Sequence, residues 1–351
     1  MKPLKYLFTF VPAVAVWVSL TQTGWLTWFG TLFVFGFIPL LEWIMGVKQA
    51  KINEDELQLR AKDPIYDWML YIVVPFQWAT LAFFAHSMYL NFNASPENQL
   101  SLSEIIGRIF AMGILCGSFG INVAHELGHR SNKTEQFLAK TLLLSSLYMH
   151  FFIEHNRGHH KSVATPEDPS SARLNEPVQL FWIRSMVQTW FSAWHLEFER
   201  LQRNGRSRFH YTNEMLQFQI IQSAFVAVIY FFGGFWVAIT VVAAALVGAI
   251  LLETINYIEH YGLQRRKLDN GFYERVELHH SWNSDHLIGR LILFELSRHS
   301  DHHYKTNKKY QTLISADEAP QMPTGYPGMM VLSLITPLWF YIMNNRVVGS
   351  R

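Results

Sequence analysis

The chain has 351 residues, of which 50% are hydrophobic, 15% aromatic and only 16% charged, with a formal net charge of +2. Soluble domains carry about a quarter charged residues, so this composition points to a lipid-embedded chain and away from nucleic-acid binding. A lone cysteine, Cys116, excludes an internal disulfide and any iron–sulfur or rubredoxin-type centre held by this chain's thiolates.

In chain order, the first apolar stretch runs from Tyr6 to Leu41 without a charged residue. A single helix of that length would be roughly 54 Å long against a hydrocarbon core of about 30 Å. The polar break Thr21-Gln22-Thr23-Gly24 therefore divides it into spans at 6–21 and 25–45. Read instead as a cleaved leader, with Lys2 and Lys5 ahead of an apolar run, the first stretch would leave the second without its hairpin partner. Spans at 68–92 and 105–126 follow. The uncharged run Leu216 to Leu252 breaks at Gly233-Gly234 into spans at 216–232 and 235–257. The apolar runs Phe137 to Phe152 and Gly328 to Met343 are short, the second being interrupted by Pro337, and are read as helices packed at the cytoplasmic interface.

The loops test this count. The connections after the first, third and fifth spans hold no Lys or Arg, whereas Lys48, Lys51, Arg60 and Lys62 follow the second, and both later segments are rich in basic residues. The positive-inside rule then places both termini and the large loops in the cytoplasm. The expected fold is an all-α integral membrane protein: one membrane domain over 1–351, six transmembrane helices, and a histidine-rich cytoplasmic catalytic region built from 125–215 and 258–351.

Histidine is plentiful, at 16 residues, and clustered. Three groups stand out: His125-Glu-Leu-Gly-His129, His155-Asn-Arg-Gly-His159-His160 and His299-Ser-Asp-His302-His303. Residues four apart share a helix face, so His125/His129 and His155/His159 are expected to pair on one ion each, as are His299/His302 at a spacing of three. The extra rings of His160 and His303 turn about 100° toward a neighbouring ion. His260, at the cytoplasmic end of the sixth span, lies at the same depth. Nine imidazoles exceed what one ion takes, and two metals fit the number. The acidic neighbours Glu126, Glu154, Glu259 and Asp301 are candidates for offsetting metal charge and orienting rings. His86, His150, His195 and His210 read as ordinary polar residues, while His279, His280 and His286 could support the site or add a contact.

His125-Glu126-Leu-Gly-His129 also fits the zinc metalloprotease pattern, with Glu126 as general base. Two further histidine clusters go beyond what such a site needs. A metal transporter or sensor would more readily place ionisable groups at mid-membrane, where only His86 lies.

These boxes, on one face of a multi-span chain, resemble the membrane histidine-box family of desaturases, xylene monooxygenases and alkane hydroxylases. Asn-Tyr-Ile-Glu-His-Tyr-Gly (256–262), Glu-His-Asn-Arg-Gly-His-His (154–160), His-His-Ser-Trp-Asn-Ser (279–284), Arg-His-Ser-Asp-His-His (298–303) and Pro-Thr-Gly-Tyr-Pro-Gly (323–328) are similar to the alkane 1-monooxygenases. The resemblance implies O2-dependent terminal hydroxylation of medium-chain n-alkanes at two non-haem irons, in a bacterial inner membrane. It carries the iron ligands to His125, His129, His155, His159, His160, His260, His299, His302 and His303. A related desaturase or xylene-type monooxygenase is the alternative within the family.

Alkane would arrive from lipid, and Trp43, Phe83, Ile114 and Phe225 are candidate channel residues. The chain shows no Gly-rich dinucleotide fingerprint and no flavin or haem site, so electrons come from outside. The resemblance implies rubredoxin, reduced by an NAD(P)H-dependent rubredoxin reductase. Arg130, Lys133, Arg157 and Lys161 are candidates for docking that acidic donor.

Overall fold

The computed structural model describes residues 3–47 and 53–349, so Lys2, Lys48 and Lys51 of the charge pattern lie outside the described residues. Among the described residues, six helices are long and apolar enough to cross a membrane: α1 (Pro3–Thr21), α2 (Gly24–Met45), α4 (Ile65–Phe92), α5 (Leu102–Gly128), α9 (Glu214–Gly233) and α10 (Phe235–His260). The short α3 (Glu54–Lys62) precedes α4, capped by the Asn53 side chain. The spans match the expected ones to within about a turn. The breaks fall where the sequence places them, with Gly24 and Gly234 at φ 64° and 83°, backbone that glycine adopts without strain. The chain is a multi-pass membrane protein, and no strand forms among the described residues.

The two helices that carry histidines out of the bilayer are locked side by side. A Cβ added at Gly113 on α5 would stand 2.4 Å from Val247 Cγ1, and one at Gly248 on α10 would stand 2.5 Å from Cys116 Cβ. In lipid no hydrophobic force drives helices together, so close packing at small residues must do it. His125 and His260 each follow their contact glycine by twelve residues, about 18 Å of helix. Both therefore emerge at one level.

The segment expected to lie along the interface instead enters the bundle. Helix α6 (Lys133–Ser145) packs along α5, and its end meets the middle of that span. Ser146 Oγ donates to the Cys116 carbonyl at 2.8 Å, and Gln77 Nε2 donates to Ser145 Oγ at 3.1 Å. The chain turns at Leu147 (φ 50°) and returns through three helical pieces that together form α7: Phe151–Glu154, His155–His159 and His160–Ser162. The run is too short to cross but long enough to enter and return. Its non-helical tip is tolerated because protein satisfies its backbone, including Met149 N, which donates to Gln222 Oε1 at 3.0 Å.

Outside the spans, α8 (Val178–Arg203) wraps the bundle and exposes an apolar stripe of Leu180, Ile183, Val187 and Phe191 at helical spacing. The short α11 (Leu287–Ile292) precedes α12 (His299–Tyr304), which carries the last histidine box. They are tied to the first span by buried ions: Glu295 accepts from Tyr6 Oη at 2.8 Å, Lys5 Nζ at 2.9 Å and Arg290 Nε at 2.6 Å. The later apolar run divides at Ile335, two residues ahead of the expected Pro337, into α13 (Tyr326–Leu334) and α14 (Thr336–Gly349), and Pro337 sits in the first turn of the second.

Candidate metal centre

The nine expected histidines converge on two adjacent foci. The ring nitrogens of His125, His129, His155, His160 and His302 lie within 4.8 Å of one another, as do those of His159, His260, His299 and His303. In the first group Nε2 of His125 is 2.9 Å from that of His302, and His160 stands 3.1 Å from His129 and 2.9 Å from His155. In the second, His299 and His260 are 3.1 Å apart, and His159 and His303 3.3 Å. A hydrogen bond joins two rings, not five around a point. With metal–nitrogen bonds of about 2.1 Å, ligands at right angles stand about 3.0 Å apart, the spacing found here. The donor set fits a pair of ions.

The pairing differs from the expected one. His155 faces His160 rather than His159, because His155–His159 is a turn of π-helix, in which residues five apart come into line. Likewise His299 groups with His303, since α12 is a regular helix and four is its repeat. A second π-helical turn, Cys116–Asn122, precedes His125. Adjacent rings do part toward different foci, His159 from His160 and His302 from His303.

Burial, followed by the charges of neighbouring groups, pushes the His129 ring down to about 3 and holds His155, His160, His299, His302 and His303 well below the usual imidazole range. Their nitrogens are thus free of the second proton, as a metal requires.

The acidic neighbours divide. Glu259 Oε2 lies 3.2 Å from His299 Nε2, and its Oε1 accepts from Tyr326 Oη at 2.8 Å. Glu126 turns away, held by Arg130 Nη2 at 2.5 Å and Tyr310 N at 3.2 Å. A carboxylate clamped by a guanidinium and aimed away from the rings is badly placed to act as a protease base. Asp301 likewise faces Lys308 Nζ, at 2.7 Å and 2.8 Å. Glu154 is 3.5 Å from Ser192 Oγ, and burial, then the charges of Asp168 and Glu253, pushes its carboxyl well up.

Sequence reasoning passed over Asp168. Its Oδ2 accepts from His159 Nδ1 at 2.9 Å and from Ser171 Oγ at 2.6 Å. Burial acts to raise this carboxyl, but the His159 ring and these hydrogen bonds outweigh it and hold it below the usual range. Nothing in the spacing Asp-Pro-Ser-Ser announces the contact.

The remaining histidines stay outside the two foci. His280 Nδ1 accepts from Glu277 N at 2.9 Å, and its Nε2 stands 3.3 Å from Glu274 in a separate small group with His279. His279 lies tilted against it, with ring centroids 4.0 Å apart. His286 bonds Ser284 at 3.1 Å, His195 meets Glu199 at 3.1 Å, and His210 meets Thr212 at 2.8 Å.

Of the expected channel residues only Ile114 lines a cavity near the centre. That narrow apolar space of about 70 Å³ lies between α1, α2, α5 and α10 and reaches Tyr326, the partner of Glu259. Trp43 is 77% exposed on the rim of the bundle, Phe83 stacks on Trp17 at 4.7 Å, and Phe225 packs edge-on against Trp78 at 5.4 Å. Their apolar character serves lipid contact and packing. Two expected docking residues are also engaged: Arg130 by Glu126 and Asp67, Arg157 by Glu197 and Glu214. Lys133 and Lys161 stay exposed.

The sequence pattern of the fatty acid desaturase family matches residues 103–333, which include every histidine of both foci. Alkane 1-monooxygenase 2 of Alcanivorax borkumensis is 38% identical over 93% of this chain and 84% of its own length. The chain belongs to the alkane 1-monooxygenase family. Within it, the alkane 1-monooxygenase of Ectopseudomonas oleovorans is 36% identical over 98% of this chain and 84% of its own. The xylene/toluene monooxygenase hydroxylase component of Pseudomonas putida is more distant, at 29% over 70% of this chain and 66% of its own. As an alkane 1-monooxygenase family member the chain is an oxidoreductase, and its histidine foci mark a metal centre.

Proposed function

We propose that this chain hydroxylates medium-chain n-alkanes at the terminal carbon, using O2 and two iron ions held by His125, His129, His155, His160 and His302 on one side and His159, His260, His299 and His303 on the other. The observation that carries the reading is the convergence of two imidazole groups, with a narrow apolar cavity between the spans that reaches Tyr326, the partner of Glu259. Imidazole alone does not choose the metal. A five-nitrogen group exceeds the tetrahedral set that zinc prefers, whereas iron takes up to six ligands and keeps a position for O2. When bound, the irons would supply the oxidising power for a C–H bond that no side-chain acid, base or nucleophile can attack.

The chain's own groups supply position and dryness. Ile114, Leu251 and Met330 line the cavity that would guide a hydrocarbon chain toward the centre. Tyr326 holds Glu259 with its second oxygen beside His299, where that carboxylate can offset metal charge. Asp168 fixes the His159 proton on Nδ1 and leaves Nε2 for a metal. Electrons arrive from a separate redox partner. Rubredoxin, reduced by an NAD(P)H-dependent reductase, suits a chain without flavin-binding features, with Lys133 and Lys161 available to an acidic donor. The membrane is the bacterial inner membrane, with both termini and the region formed by 125–215 and 258–351 on the cytoplasmic side.

The test is iron analysis of the purified protein together with an octane assay containing rubredoxin, its reductase and NADH. About two irons per chain and 1-octanol as product are expected. A single zinc with no alcohol, or octene in place of octanol, overturns the proposal.

A further inference from the structure

A second apolar groove lies on the lipid-facing side of the re-entrant turn, apart from the cavity that reaches Tyr326. Its inner part, about 470 Å³, is bounded by Met186 and Trp190 of α8 and by Val242, Leu246 and Ala249 of α10. It continues past Leu147, Gln222 and Val242 into an outer part of about 680 Å³ between α9 and α10, lined by Ala227, Tyr230 and Ala238. Gln222 lies eight residues beyond Glu214, whose carboxylate meets Lys140 and Arg157, which places the groove about 12 Å inside the level of those charges.

One end of this apolar channel is polar. His150 is 6% exposed and lines the inner part, and its Nε2 has no hydrogen-bond partner. Gln219 Nε2, from α9 and lining the same inner part, is also buried without a partner. Buried polar atoms are almost always satisfied, so two unpartnered nitrogens at one end of a hydrophobic groove call for an occupant that reaches both.

We infer that the groove binds a medium-chain primary alcohol, its hydroxyl seated between His150 and Gln219 and its chain running toward Phe235. A hydroxyl both donates and accepts, so it answers an imidazole nitrogen and a carboxamide N–H together. An alkane offers neither. A phospholipid keeps its charged head at the interface and could lend this depth only methylene groups, and a carboxylate would lose its hydration there. The inference rests on the proposed hydroxylation for the origin of the alcohol, and on the groove alone for its binding.

The probe is 1-dodecanol carrying a diazirine at its methyl end, added to the full-length metal-loaded protein in phosphatidylcholine nanodiscs without electron donor, so that no turnover occurs. Photolabelling should fall on α9 and α10 near Ala227 and Ala238. Unlabelled 1-dodecanol should suppress it, with dodecane and dodecanoate at least tenfold weaker. Loss of one hydrogen bond in His150→Phe should weaken binding about tenfold, and Ala245→Trp should abolish labelling by filling the groove. Where His150→Phe does not fold, Gln219→Leu on the lipid-facing α9 gives the equivalent test. Equal competition by dodecane and dodecanol overturns the inference, as does labelling indifferent to both His150→Phe and Gln219→Leu. Because binding is read without catalysis, an enzyme that formed no octanol would sink the proposed reaction and leave this result standing.

Discussion

Nδ1 of His159 and Oδ2 of Asp168 meet at 2.9 Å, with both side chains almost wholly buried. The carboxylate fixes which nitrogen carries the proton and therefore which one can hold a metal. Partners of this kind are worth 10–100-fold in metal affinity or activity when removed. Asp168→Ala should weaken the four-histidine group by about that factor, so that iron content after dialysis falls from two toward one per chain. Asp168→Asn, whose amide oxygen still accepts from Nδ1, should recover most of it. Two irons retained with unchanged affinity in Asp168→Ala would remove the orienting role.

Glu126 offers a second discrimination, because its motif reads two ways. A protease base would be indispensable, and Glu126→Gln would abolish activity. Here Glu126 receives Arg130 and the Tyr310 backbone rather than facing the rings. The substitution leaves Arg130 short of a charged partner in a buried setting, so the melting temperature should drop by several degrees. Alkane turnover at low temperature should survive to within about tenfold. Loss of all activity in a folded, iron-loaded Glu126→Gln protein would contradict this placement.

The six spans and the nine rings were legible because lipid leaves few options: apolar length sets a helix, and unsatisfied backbone is forbidden outside it. The grouping of His155 with His160 was not legible, since it depends on an extra residue wound into a π-helical turn, which no side-chain pattern declares. Asp168 was hidden for a related reason: it reaches His159 through a loop whose path is set by tertiary contacts, such as Arg265 N donating to the Ala164 carbonyl at 2.7 Å. The re-entrant turn at Ser145–Leu147 was missed because its polar groups look like an interfacial loop until Gln77, Gln222 and the Cys116 carbonyl are seen to satisfy them.

Stability in acid should depend on Glu295, which anchors the last histidine box to α1. Burial pushes its carboxyl up, but the guanidinium groups of Arg290 and Arg298, with Lys5, pull it down to about 2, below the ordinary 4.5. A carboxyl depressed on folding gives stability that is full above its unfolded pKa and lost as pH falls toward its folded one. The contribution is about 3 kcal/mol. The melting temperature of the protein in micelles should therefore fall between pH 5 and pH 2.5, and Glu295→Gln should remove part of that dependence while lowering stability at pH 7. An identical pH profile in the variant would show that other groups govern acid unfolding.

Chain-length preference should respond to Ile114, the one expected channel residue that lines the cavity near the centre. It lies eleven residues before His125, about 16 Å of helix from the ligand level. Its side chain is 5% exposed and packs into the narrow space between α1, α2, α5 and α10. Ile114→Ala removes three carbons there and opens room for a longer hydrocarbon, at a stability cost of about 2–4 kcal/mol for the cavity. Ile114→Phe should obstruct longer chains while sparing shorter ones. Supplied with a mixture of hexane, octane and dodecane, the alanine variant should shift its alcohol products toward dodecanol and the phenylalanine variant toward hexanol. The metal ligands are untouched, so iron content should stay constant in both. Equal product ratios in both variants would mean that the hydrocarbon reaches the centre by another path, with Trp43 and the outer face of α2 the next place to look.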